Sequence, residues 1–275
     1  MGFLTEAVKF IIYSSAIVLI SKYILAGTIR KLARNLKLNS KTVGNIAGYA
    51  TSVPELLTVV ASSINGLIGA SMYNILSSNI INFLQYMSSI LINKNQKVLK
   101  NPAVKIDIVL VLVTILLPIL FIQLNLEVNL ITVIIFILLY AFFRFIDRNA
   151  HKLYLKENKA NTINEKSSKE WGKSIKYLIL LILSGILLFV VGDLLGETLE
   201  NLCYRFNIPE IVIGILLGVI TSIPELITFF EAQKHHKESD EVAGVVEATN
   251  NLFTSNILNL FIIQSIGVLI YTIFA

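Results

Sequence analysis

Long apolar runs alternate with short breaks rich in charge, proline or asparagine, and the runs predict helices at roughly 8–27, 43–64, 67–92, 106–124, 129–147, 174–199, 210–230 and 244–273. Most reach the roughly 20 residues that a helix needs to cross a bilayer. The third and eighth are long enough to tilt or bend. Strands of a membrane barrel would be short and alternating, so helix is the only consistent reading. The fold class expected is an all-α polytopic membrane protein of about eight spans.

Two near-identical polar segments interrupt this pattern. Gly48-Tyr49-Ala50-Thr51-Ser52-Val53-Pro54-Glu55-Leu56-Leu57-Thr58 recurs as Gly218-Val219-Ile220-Thr221-Ser222-Ile223-Pro224-Glu225-Leu226-Ile227-Thr228, with Gly44 and Gly214 in the same register. Each copy is followed by a second match, Asn74-Ile75-Leu76-Ser77-Ser78-Asn79-Ile80-Ile81-Asn82 and Asn251-Leu252-Phe253-Thr254-Ser255-Asn256-Ile257-Leu258-Asn259. Two linked matches indicate internal duplication. The copies begin in the second and seventh spans, an odd number of crossings apart, so they enter the membrane from opposite faces. Inverted repeats with a binding site at mid-membrane are a common transporter architecture.

Charge sharpens the picture. Charged residues are 15% of the 275, against about 25% in soluble domains. Between Lys41 and Lys94 the only charge is Glu55, and no charge follows Glu247. Arg30, Lys31, Arg34, Lys37 and Lys41 fill the first connection. The third holds Lys94, Lys97, Lys100 and Lys105 against Asp107, and the fifth holds Arg148, Lys152, Lys156, Lys159, Lys166, Lys169 and Lys173. The even connections are nearly free of basic residues. Odd connections are therefore expected in the cytoplasm and both termini outside. The seventh, 231–243, fits less well, with Glu231, Glu238, Asp240 and Glu241 against Lys234 and Lys237. The first run lacks the preceding basic stretch of a signal peptide and reads as a retained helix. By this division 1–147 is a first half, 148–173 a cytoplasmic linker and 174–275 a second half.

The net charge of +5 follows from the basic connections and does not indicate nucleic acid. Cys203 stands alone, so no internal disulfide and no thiolate metal site is expected. His151, His235 and His236 are all assigned to connections, which excludes a Ser-His intramembrane protease. No phosphate-binding loop is present, so the chain is not an ATP-driven pump, and no enzyme activity is expected.

Glu55 and Glu225 both fall near mid-depth, where an unpaired carboxylate costs at least about 2.5 kcal/mol. No Lys or Arg is placed at that depth, so a proton or metal ion must supply the balancing charge. Pro54 and Pro224 have no N–H, which frees the carbonyls of Ala50 and Ile220 from their helical partners. Thr51, Glu55 and Thr58 share a helix face. Asn74, Ser78 and Asn82 make a polar stripe, as do Asn251, Ser255 and Asn259. Carboxylate, hydroxyl, amide and carbonyl oxygens are the ligands hard cations such as Ca²⁺ and Na⁺ prefer. The competing reading is that prolines kink the helices and polar stripes glue them together. Asn79 and Asn256 point off the stripes and read equally as packing residues. Asp193 and Glu197 are assigned to the outer end of the sixth span, in a snorkelling or pathway-mouth role, Glu247 to the first turn of the last span, and His235-His236 to a solvated loop.

At these residues the chain resembles the cation/Ca²⁺ exchanger superfamily, the membrane region of sodium/calcium exchangers. That family carries two inverted repeats, each with a Gly-Thr-Ser-x-Pro-Glu helix and a Gly-Ser-Asn-x-x-Asn/Asp helix. The resemblance covers 44–82 and 214–259, and Gly192-Asp193-Leu194 is similar to the family's sixth helix. It implies a metal site of Thr51, Ser52, Glu55, Ser78, Asn82, Thr221, Ser222, Glu225, Ser255 and Asn259, with the Ala50 and Ile220 carbonyls. It also implies an antiporter that exchanges Ca²⁺ for Na⁺ or H⁺ at the cell membrane, with the first and sixth spans sliding against the repeats. No prosthetic group is implied. The motif glycines are replaced by Ala50 and Ile220 and by Ser77 and Thr254, and the acidic alternative is Asn82 and Asn259 in both copies. Family members usually have ten spans, and a second copy or a partner subunit is one candidate cover for the flank of the ninth and tenth. The fifth connection is too short for a calcium-sensing domain. An uncoupled cation channel and a non-transporting protein with a degenerate site are the rival readings.

Overall fold

A computed structural model describes residues 2–28, 31, 40–124, 129–157, 171–236 and 241–274. The basic residues Arg30, Arg34, Lys37, Lys159, Lys166 and Lys169, and Lys237, Glu238 and Asp240 of the seventh connection, lie outside them. The described residues form eleven α-helices: α1 (Phe3–Ile20), α2 (Ser40–Thr51), α3 (Val53–Ile64), α4 (Ile68–Ile92), α5 (Pro102–Gln123), α6 (Leu130–Glu157), α7 (Trp171–Glu200), α8 (Glu210–Thr221), α9 (Ile223–His236), α10 (Glu241–Ile257) and α11 (Gln264–Phe274). Wider π turns extend α1 over Ser21–Ala26 and α7 over Asn201–Arg205, and join α10 to α11 over Leu258–Ile263.

Each duplicated Pro-Glu segment is a broken helix. α2 stops at Thr51, Ser52 takes φ −83° and ψ 0°, and α3 restarts with Pro54 in its first turn. The second copy breaks in the same way, with Ser222 between α8 and α9 at φ −78° and ψ −2°. Proline fits the first turn, where its missing N–H has no partner to lose. By length and composition seven described segments are apolar enough to cross a membrane, and the broken pair α2–α3 makes the eighth predicted span.

Three expectations change. α6 runs to Glu157, ten residues past its predicted end, and carries Asp147 and His151 buried against neighbouring helices. His151 is therefore a buried helical residue and not part of a connection. Asp107, counted among the third connection's charges, is likewise buried inside α5. α9 continues through the first half of the predicted seventh connection to His236, and α10 begins at Glu241, so Glu247 stands in its second turn.

The buried centre consists of α10, α4 and the broken helices. α2 crosses α10, α4 crosses α8, and the pairs α3–α4 and α9–α10 pack in matching fashion. Between lipid-facing helices there is no hydrophobic drive to associate, so small residues that admit close backbone approach decide which helices cross. A Cβ on Gly48 would stand 2.8 Å from the Asn251 carbonyl oxygen and from Thr254 Cβ. One on Gly214 would stand 2.6 Å from the Ala70 carbonyl oxygen. Gly44 meets the carbonyl of Glu247 as Gly214 meets that of Ala70. α1 and α7 pack on each other and reach the centre through Ile17, Leu188 and Leu195, which cluster with Leu217 of α8. Ile134, Leu138, Leu183 and Ile186 face outward, as expected of helices bathed in lipid.

The contacts bear on the inversion. α2 begins beside α5 and α6, where Lys41 meets Asp147. α8 begins at the opposite end, where the Glu210 carboxylate accepts a hydrogen bond from the Ala70 amide at the start of α4. The two broken helices therefore run antiparallel.

Candidate cation site

The two breaks bring Glu55 and Glu225 into the middle of the bundle, both with zero exposure. Ser78 Oγ donates to Glu55 Oε1 at 2.9 Å, and Ser255 Oγ donates to Glu225 Oε1 at 3.1 Å. Each serine also meets the motif serine of the other repeat, Ser78 with Ser222 at 3.1 Å and Ser255 with Ser52 at 2.9 Å. Ser78 reaches the Thr221 hydroxyl at 3.2 Å as well. The Thr221 side chain faces Glu55, the Thr51 side chain faces Glu225, and the carboxylates are near enough to act on each other.

Outside this inner ring the asparagines are fixed by their nitrogens. Asn74 Nδ2 donates to Thr58 Oγ1 at 2.7 Å, and Asn251 makes the same bond to Thr228. Asn82 Nδ2 donates to Asn256 Oδ1 at 3.3 Å, and Asn259 Nδ2 donates to Asn79 Oδ1 at 3.2 Å. Asn79 and Asn256 also exchange bonds with each other's backbone carbonyls, at 3.2 and 3.1 Å. They act as a clamp that joins α4 to α10, which resolves their role in favour of packing.

Several acceptor atoms of the repeat residues are left over. Glu55 Oε2, Glu225 Oε2, Asn82 Oδ1, Asn259 Oδ1 and Asn74 Oδ1 are buried and have no hydrogen-bond partner. All five are acceptors. A buried acceptor without a donor costs about 1–3 kcal/mol, more when charged, and native interiors leave few of them. Among the described residues no Lys, Arg or His forms an ion pair with either glutamate. Buried oxygens without donors, carboxylates among them, are the kind of ligand that a hard cation takes.

The sequence-named residues Thr51, Ser52, Glu55, Ser78, Asn82, Thr221, Ser222, Glu225, Ser255 and Asn259 are all fully or almost fully buried at this centre. Ala50 and Ile220 occupy the last turns before the breaks. Asp193 and Glu197 are exposed on α7 and belong to no described contact with the ring. The replaced motif glycines are absorbed by packing: Ser77 sits against Gly214 and Gly218, and Thr254 sits against Gly48. Thr254 Oγ1 also donates to Asn45 Oδ1 at 2.8 Å.

Arg144 was not identified from sequence. It donates to the Tyr49 hydroxyl at 2.6 Å and to Thr254 Oγ1 at 3.3 Å, one residue from Ser255, and its guanidinium lies over the Tyr49 ring. In the sequence an arginine near a helix end looks like an ordinary interface anchor, and nothing there reveals that it turns inward.

Comparison with known proteins gives a consistent picture. A family profile described as "Sodium/calcium exchanger protein" matches residues 7–147 and 176–274. A search of curated protein sequences returns no match. Among solved structures the chain is similar to the sodium-calcium exchanger NCX_Mj, with 22% identity over 98% of this chain and 83% of that one and a TM-score of 0.54. A second NCX_Mj structure, at 21% identity over 98% and 84%, has a TM-score of 0.57. A structure of the H⁺/Ca²⁺ exchanger CAX shares 14% identity over 98% and 68%, with a TM-score of 0.61. At such identities the likeness is one of fold, and that fold is all-helical and polytopic.

Proposed function

The chain belongs to the sodium/calcium exchanger protein family, and on that premise we propose that it expels Ca²⁺ in exchange for Na⁺ across the cell membrane, with Glu55 and Glu225 as the exchanged ligands. It is a multi-pass membrane cation transporter and not an enzyme. The reading rests on one observation: buried oxygens of the repeat residues, two of them from carboxylates, that no described donor satisfies. The hydroxyls of Thr51, Ser52, Ser78, Thr221, Ser222 and Ser255 complete the cage, with Asn82, Asn259 and the carbonyls of Ala50 and Ile220 at its edge.

In this scheme Ca²⁺ and Na⁺ compete for the same two carboxylates, so one ion leaves before the other binds. The pair α1–α7 slides against the repeats and exposes the cage first to one side and then to the other. Odd connections face the cytoplasm and both termini face outward, in line with their Lys and Arg content. The contacts of Lys41, Asp107 and Asp147 support one part of this, because they put the ends of the first, third and fifth connections together.

⁴⁵Ca²⁺ uptake into proteoliposomes loaded with Na⁺, compared with K⁺ loading and with an imposed pH step, tests the proposal. Uptake driven by the Na⁺ gradient supports it. Uptake driven only by the pH step transfers the role of counter-ion to H⁺, and flux with no gradient supports a channel.

A further inference from the structure

At the end of the bundle that carries the basic connections, four side chains meet away from the cation cage. His151 Nε2 lies 2.8 Å from Asp107 Oδ2 and 3.5 Å from Asp147 Oδ1, and Lys41 Nζ donates to Asp147 Oδ1 at 2.7 Å and to its backbone carbonyl at 3.3 Å. Asp107, Asp147 and His151 are all buried, and their ligand-type atoms lie within 4.8 Å of one another. They come from two helices, α5 and α6, while Lys41 comes from the first turn of α2. Burying two carboxylates beside one lysine leaves more anionic oxygen than one ammonium can satisfy, and Asp107 Oδ1, fully buried, has no partner.

We propose that Asp107, Asp147 and His151 form a second metal site, for a divalent transition ion of the zinc class, separate from the transport cage. One imidazole nitrogen and two carboxylate oxygens are ligands that zinc-class ions accept readily, whereas Ca²⁺ and Na⁺ prefer oxygen alone. Asp147 and His151 are four residues apart on one helix face, a spacing that lets two side chains reach one ion. Tetrahedral ligands at the usual bond lengths stand about 3.4 Å apart, so closing the set needs only small side-chain rotations. Nε2 must give up the hydrogen it shares with Asp107, and Lys41 must release Asp147. Lys41 is thus the internal competitor of the metal. Its helix continues to Thr51 at the cage, so occupancy of the second site acts on a segment that also carries transport ligands.

The test is Zn²⁺ titration of the purified full chain, with Co²⁺ absorption to report nitrogen ligation. The proposal does not depend on the transport reading, and the Glu55→Gln/Glu225→Gln double variant separates the two. One Zn²⁺ is expected to bind per chain, equally in the parent and the double variant. His151→Gln should weaken it by more than the 10–100-fold that loss of an outer-shell partner costs. Lys41→Gln should tighten it at least about tenfold by removing a nearby positive charge. A misfolded variant cannot imitate that gain. Absence of Zn²⁺ binding by the parent, binding that survives His151→Gln, loss of binding in the double variant, or unchanged affinity in Lys41→Gln overturns the proposal.

Discussion

Ser52 and Ser255, far apart in the chain, meet hydroxyl to hydroxyl at 2.9 Å. The same contact appears at 3.1 Å between their repeat equivalents, Ser222 and Ser78. Because Ser255 and Ser78 each also hold a glutamate oxygen, every carboxylate is tied through one serine to the opposite repeat.

That symmetry predicts matched effects. Ser78→Ala and Ser255→Ala each remove one hydrogen bond to a charged group, worth about 1.5–3 kcal/mol, so each should weaken Ca²⁺-dependent transport by roughly tenfold to a hundredfold. The two losses should agree within a factor of a few in ⁴⁵Ca²⁺ uptake. A large disparity would show that only one repeat binds the ion.

Glu55→Gln and Glu225→Gln should abolish uptake without costing stability in ion-free buffer, since an unpaired buried charge is replaced by a neutral group. Thermal unfolding in detergent checks this. The parent should gain roughly 2.7 kcal/mol at a Ca²⁺ concentration a hundred times its Kd, and the double variant should gain nothing.

Close helix crossing predicts that Gly218→Ala destabilises by about 1–3 kcal/mol through overpacking. The added Cβ would meet the Ser77 side chain and also the Asn74 carbonyl at 2.8 Å and the Ser78 amide at 2.9 Å. Ser77→Gly should therefore not restore the melting temperature, because backbone atoms remain in the way.

Charge balance suggests a stoichiometry for the proposed cage. Asn82 and Asn259 are neutral amides, so among the described residues Glu55 and Glu225 are its formal charges, and one Ca²⁺ or two Na⁺ would neutralise them. Exchange is expected to be electroneutral. Clamping the membrane potential with valinomycin and K⁺ should leave the initial uptake rate unchanged, whereas acceleration by an inside-positive potential would mean that a third Na⁺ leaves for each Ca²⁺ that enters.

The buried polar ring was legible in the chain itself, because Pro54-Glu55 and Pro224-Glu225 repeat with their polar stripes, and a carboxylate deep in an apolar run has few explanations. The breaks at Ser52 and Ser222 followed from the chemistry of proline. Less visible were contacts that depend on which helix faces lie together. His151 and Asp107 read as loop residues because charge near the end of an apolar run normally marks the membrane surface, whereas the two meet in the buried interior on α6 and α5. Arg144 was hidden for the same reason. The Asn79–Asn256 clamp was undecided from spacing, since a residue off the stripe can face either a ligand or a neighbour, and the crossing of α4 with α10 settles it.

The account stands on a cation held between Glu55 and Glu225. Anomalous diffraction from crystals soaked in Sr²⁺, an electron-rich substitute for Ca²⁺, tests that most directly. The expected result is a peak within coordinating distance of Glu55 Oε2 and Glu225 Oε2, and its disappearance in the Glu55→Gln/Glu225→Gln variant. A map with no peak there, and with both oxygens bonded to fixed protein donors, would contradict it.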